Sequence, residues 1–89
     1  MINQFTNQQI KEAAQSWYNS ISRNEIESIE LSSKFEGFFR AEVRIPNQEK
    51  LGEIFIGFNV DHDEMTLCTK VGRNGLACHS MTSITKWTK

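Results

Sequence analysis

A chain of 89 residues with 38% hydrophobic, 10% aromatic and 24% charged side chains is enough for one small domain, residues 1–89. Such a domain removes about 60–65% of its unfolded-chain surface from water on folding, and two domains are excluded. One Pro and five Gly exclude a collagenous or disordered chain. The net charge is −1 but lopsided: residues 1–64 hold six Lys/Arg against eleven Asp/Glu, a balance of −5, whereas 65–89 hold Lys70, Arg73, Lys86 and Lys89 with no acid, a balance of +4.

Met1 to Phe5 carries neither a basic nor an apolar leader, and no apolar run approaches the ~20 residues of a membrane span. A cytoplasmic protein with no membrane partner is the expectation. Cys68 and Cys78 are then expected as reduced thiols.

Thr6-Asn7-Gln8-Gln9 fits a capping box and opens a helix over 6–23. Phe5 and Ile10 are spaced for a hydrophobic staple, and Ile10, Ala13, Ala14, Trp17 and Ile21 form one apolar stripe. Gln8, Lys11, Glu12, Gln15, Asn19 and Ser22 form the wet face, and Asn24 ends the helix.

Period-two alternation then predicts strands over about 27–35, 39–45, 53–60, 65–71 and 76–87. Ile29, Leu31, Ser33 and Phe35 share one face of the first, and Phe39, Ala41, Val43 and Ile45 one face of the second, which Pro46 terminates. Ile54 to Val60 is the most apolar segment and reads as a central strand. The last segment is ambiguous, since Leu76, Ser80, Ile84 and Trp87 also suit one side of a short helix; its Thr and Ser content favours strand.

Turn chemistry fixes the expected registers. A three-residue turn at 36–38 pairs Phe35 with Phe39, and a four-residue turn at 61–64 pairs Val60 with Met65. A type I′ turn at Asn74-Gly75 pairs Val71 with Cys78 and Met65 with Ile84. The expected fold class is α+β: one N-terminal amphipathic helix on a four- to five-stranded antiparallel meander.

Chemistry-bearing residues are sparse. Zinc takes about four N or S ligands at paired short spacing, and no Cys-x-x-Cys occurs. The expected register puts Cys78 on the helix side and Cys68 on the other face, opposing both shared metal ligation and a disulfide. Asp61-His62-Asp63-Glu64 lacks the loop and Gly of an EF-hand and reads as a polar turn. Cys78 and His79 alternate to opposite faces, and Gly72-Arg73-Asn74-Gly75 is too short for a phosphate loop. No catalytic residue, metal site or cofactor is expected.

The face away from the helix is more informative. Arg40, Arg44, Phe55, Lys70, His79, Met81 and Trp87 are the expected binding residues, with Cys68 on the same side and Phe38 at a nearby turn. Aromatic, Met and Arg enrichment is the composition of a protein-binding patch or of a stacking platform for nucleic acid. The structural alternative is that the chain curls over this face and buries Phe55 and Trp87 itself. A non-enzymatic protein-binding module is the leading expectation, a small regulator, inhibitor or adaptor docking by the outer sheet face or a strand edge, with a second copy of the chain as a further partner. A nucleic-acid-binding domain using the basic C-terminal segment and outward aromatics comes second, because eleven acids oppose phosphate.

Overall fold

The computed structural model describes residues 5–88. Lys89, one of the four C-terminal cations, and residues 1–4 lie outside that range. Helix α1 (Asn7–Ile21) begins at the expected box: Thr6 Oγ1 accepts from the Gln9 amide at 3.1 Å, and Gln9 Oε1 accepts from the Thr6 amide at 2.8 Å. Two amide donors at the helix start, which have no intrahelical partner, are thereby satisfied. Ile10, Ala13, Ala14 and Trp17 are buried, and Phe5 packs against the same core. The end of the stripe differs from expectation. Ile21 is 50% exposed, and Tyr18 is buried instead. Tyr18 has the polar partner a buried phenol requires, since its oxygen accepts from Asn24 Nδ2 at 3.0 Å.

The strands are β1 (Glu25–Leu31), β2 (Phe38–Arg44), β3 (Gly52–Asn59), β4 (Glu64–Val71) and β5 (Gly75–Thr82). They form one antiparallel meander in the order β1-β2-β3-β4-β5, so the α+β architecture is as expected. Ile29, Phe39, Ala41, Val43, Ile54, Ile56 and Met65 lie in one core with the buried face of α1.

All three hairpin registers differ from the expected ones. Leu31 pairs with Phe39, leaving residues 32–37 as a loop that takes Phe35 out of the first strand. Phe58 pairs with Met65, because Val60 to His62 coil into a 3₁₀ turn. Both changes move the pairing by an even number of residues and keep the faces. The third does not. Val71 pairs with Gly75, and Gly72 enters the left-handed region at φ 66°. The loop is therefore Gly72-Arg73-Asn74, not a two-residue turn at Asn74-Gly75. That odd shift inverts the first half of β5, until a bulge at His79, between the pairs Cys68–Cys78 and Leu67–Ser80, restores the parity.

The chain leaves the sheet after Thr82, so the expected strand to residue 87 is too long. Ile84 is fully buried, and Thr85 to Trp87 form a 3₁₀ turn. Asp63 holds this junction. Its carboxylate accepts from Ser83 Oγ at 2.5 Å, the Thr85 amide at 2.8 Å and Thr85 Oγ1 at 2.9 Å. The acidic turn 61–64 thus has a structural role, and Asp63 takes φ 49° to play it.

Thr6→Ala should cost about 1 kcal/mol and Trp17→Ala about 3–5 kcal/mol in urea melts, and a neutral Trp17→Ala would overturn this packing. The Ser83 hydroxyl, and then the Thr85 donors, hold the Asp63 carboxyl below the usual carboxylate range. A depressed folded-state value means that the contribution is fully present above the unfolded-state pKa, ~3.9, and is lost as pH falls through the lower folded-state value. Asp63→Asn should therefore flatten the acid limb of the stability profile and leave the profile's shape near neutrality unchanged.

Candidate functional site

One row of outward side chains crosses all five strands. Glu30 opposes Arg40, Arg40 opposes Phe55, Phe55 opposes Cys68, and Cys68 opposes Cys78. Phe38, Gly57, Thr66 and Met81 form the neighbouring row. The face is the expected one for Arg40, Phe55 and Met81, but its condition differs from strand to strand.

Phe55 projects away from the helix yet is only 3% exposed. The loop 32–37 covers it. Phe35, expected on the helix side, meets the Phe55 ring edge-on, with centroids 5.2 Å apart and planes at 79°, and Phe38 stands 6.3 Å from Phe35. The loop is ordered by Ser32, whose Oγ accepts from the Lys34 and Phe35 amides at 3.2 and 3.0 Å while its own amide donates to the Phe38 carbonyl at 2.8 Å. Lys34 Nζ then reaches across the sheet to donate to the Arg73 carbonyl in the β4–β5 turn. Phe38 in turn lies over Gly57, where a Cβ would come within 2.7 Å of its ring. Here the chain covers its own aromatic face.

The two outward arginines are engaged within the sheet. Arg40 Nε binds the Glu53 carboxylate, and Arg40 Nη2 lies 3.6 Å from Glu42. The hydrogen bond to Glu53 raises the Arg40 guanidinium above its ordinary range. Arg44 Nε is 3.7 Å from Glu27, and its Nη1 donates to the Glu49 carbonyl at 3.2 Å. Among the described residues every ion pair lies in β1–β3, and Lys70, Arg73 and Lys86 pair with no carboxylate. Lys70 is exposed and shares with Phe35, Arg40, Glu53 and Phe55 a depression of about 350 Å³.

Trp87 is not on this face. It follows the 3₁₀ turn onto the helix side, where Nε1 donates to Thr82 Oγ1 at 3.0 Å and the ring packs against the core. The expectation failed because β5 ends five residues before Trp87, so strand alternation no longer governs where it points.

The remaining expected residues, His79 and Met81, belong to β5, which pairs on one side only. Residues 78–81 form an exposed run, with Met81 63% exposed. His79 Nε2 lies 2.5 Å from Thr69 Oγ1. Thr66, Cys78, His79, Ser80 and Met81 line an open depression of about 240 Å³. Cys78 also differs from expectation: its Sγ is 3.2 Å from Cys68 Sγ, on the same face of the sheet rather than the opposite one. The signal that points to this is Gly72, whose missing Cβ lets the chain enter the left-handed region directly after Val71 and so start the loop earlier than Asn74-Gly75 would.

The two free edges are chemically unlike. β1 carries Glu25, Glu27 and Glu30, all exposed, whereas β5 has no Asp, Glu, Lys or Arg over its eight residues. Each strand contains one register shift, so bulging does not distinguish them and charge does.

Among the described residues no three His, Cys, Asp or Glu side chains converge as metal ligands, and no helix is long and apolar enough to cross a membrane. Comparison with protein-family models, with curated proteins and with solved structures finds no match to this chain.

The self-covered face yields a direct test. Phe55→Ala removes a ring sealed between Phe35 and the sheet, and it should lower stability by about 3–5 kcal/mol in urea melts. A change below 1 kcal/mol would mean that loop 32–37 does not seal the ring.

Proposed function

We propose that this protein is a non-enzymatic binding module, a small regulator, inhibitor or adaptor, that takes an extended segment of another protein onto the edge of β5. The observation that carries this reading is the contrast between the edges. An unpaired strand without charge presents a row of amide and carbonyl groups that an incoming strand can pair with, and such strand addition is a recurrent recognition mode. Met81, His79 and Ser80 flank those backbone groups and supply side-chain contacts, with Met81 as the adaptable apolar anchor. Lys70, next to the β5 strand, supplies a cation that orients the partner. Phe55 and Trp87 have no part in this reading, because the chain buries Phe55 itself and packs Trp87, half-buried, against the core on the helix side.

Nucleic-acid binding is the weaker proposal. Arg40 and Arg44 already face Glu53, Glu42 and Glu27, and phosphate would have to displace those carboxylates.

The two separate experimentally. The protein is used as bait in an extract of its native host, and amide hydrogen exchange is then followed on the captured complex. Capture should survive nuclease, exchange should slow across residues 75–82, and Met81→Glu should abolish binding while leaving the melting temperature unchanged. Glu27→Gln on β1 should leave binding intact. Nuclease-sensitive capture, or binding indifferent to Met81→Glu, would overturn the reading.

A further inference from the structure

Two thiols face each other across β4 and β5, and nothing in the binding role uses them. Cys68 and Cys78 are directly opposed residues of an antiparallel pair. Opposed positions have Cα atoms about 4.5 or 5.5 Å apart, inside the 4.4–6.8 Å range that a disulfide spans. Both sulfurs lie on the outer side of the sheet, 3.2 Å apart. Closing them to a bond of about 2.0 Å requires roughly 1.2 Å of sulfur movement and no change in strand register.

The two differ in access. Cys68 is fully buried, beside Phe55 of β3, whereas Cys78 is exposed and opens onto the depression lined by Thr66, His79, Ser80 and Met81. A small molecule can therefore reach Cys78 and not Cys68.

We propose that Cys68 and Cys78 form a thiol pair oxidised to a cross-strand disulfide by a low-molecular-weight disulfide, with Cys78 as the attacking sulfur and Cys68 as the resolving one. In the first step the Cys78 thiolate attacks one sulfur of R–S–S–R. The S–S bond breaks, one RS⁻ leaves and is protonated by solvent, and Cys78–S–S–R remains. In the second, Cys68 gives up its proton and its sulfur attacks Cys78 Sγ, expelling the other RS⁻, which takes up a proton. Two protein thiols lose two electrons, and the small disulfide gains them as two RSH.

The order follows from access, and protonation agrees with it. Burial, with Cys78 as neighbour, pushes the Cys68 thiol up to about 12, so Cys68 remains protonated until the mixed disulfide stands against it. The attack is then intramolecular, and a high effective concentration offsets a small thiolate fraction. The product ties edge strand β5 to β4 beside the bulge at His79. It gives the uncharged edge a covalent clamp whose presence depends on redox conditions.

The test uses the full chain, reduced and then exposed to oxidised glutathione under native conditions, with intact mass, thiol titration and peptide mapping as readouts. The wild type should lose both thiols, end lighter by two hydrogen atoms, carry no glutathione and yield a linked Cys68–Cys78 peptide pair. Cys68→Ala should stop at a lasting glutathione adduct on Cys78. Cys78→Ala should stay unreactive while folded and react at Cys68 once urea unfolds it. A wild type that keeps both thiols, retains the adduct or links chain to chain would overturn the proposal. If a variant fails to fold, the wild-type mass and the linked peptide still decide whether the disulfide forms.

Discussion

The structure depends on one strand that needs cover on both faces. In β3, the four consecutive residues Ile54, Phe55, Ile56 and Gly57 are buried, so alternation offers no wet side. A central strand of this kind normally belongs to a sheet sandwiched between two layers, yet the described residues form one α-helix. It meets the demand by putting α1 over Ile54 and Ile56 and the loop 32–37 over Phe55. That loop has to be ordered to exclude water, and Ser32, the Phe35–Phe55 ring contact and the Lys34 reach to Arg73 supply the order.

Once both faces near β3 are closed, the open surface shifts to the far side of the sheet. The loop starts from β1 and reaches the β4–β5 turn at one end, leaving the other end of β5 exposed around Met81. Charge follows the same division. Among the described residues the ion pairs lie on β1–β3, where Glu27, Glu42 and Glu53 answer Arg44 and Arg40, while Lys70, Arg73 and Lys86 have no carboxylate partner. Lys70, Arg73 and Lys86 thus lack the neutralisation that Arg40 and Arg44 receive from the acidic strands.

Local signals in the sequence were legible where they were redundant. The helix start was carried by the Thr6–Gln9 box and the Ile10, Ala13, Ala14, Trp17 stripe together, and both are present in the structure. Strand existence and meander order were also legible, because an alternating pattern survives an even error in register. The β1–β2 and β3–β4 hairpins slipped by even numbers and kept their faces. What failed was parity in the last hairpin. Asn74-Gly75 suits a two-residue turn, but Gly72 enters the left-handed region and starts the loop earlier; the odd slip that results moves a side chain through the sheet. Cys78 was thereby misplaced. Phe35 and Trp87 failed for a different reason: each lies just past a strand end, where period two no longer applies and long-range cover decides position.

An open meander also faces the problem that its two edges can join in different copies. Pairing β5 of one molecule with β1 of the next would be a head-to-tail contact, and such contacts extend without closing unless rotation brings them into a ring. Glu25, Glu27 and Glu30 along β1 are charges that discourage strand addition. They act on β1 whatever the incoming strand, so they oppose this polymer at one end of the contact while β5 carries no charge of its own. Were both edges equally free of charge, selectivity for the proposed partner over self-assembly would have to come from side-chain fit alone. With one edge closed by charge, the protein can keep the other open, and the strand that remains open is the one whose backbone the Cys68–Cys78 pair is placed to clamp.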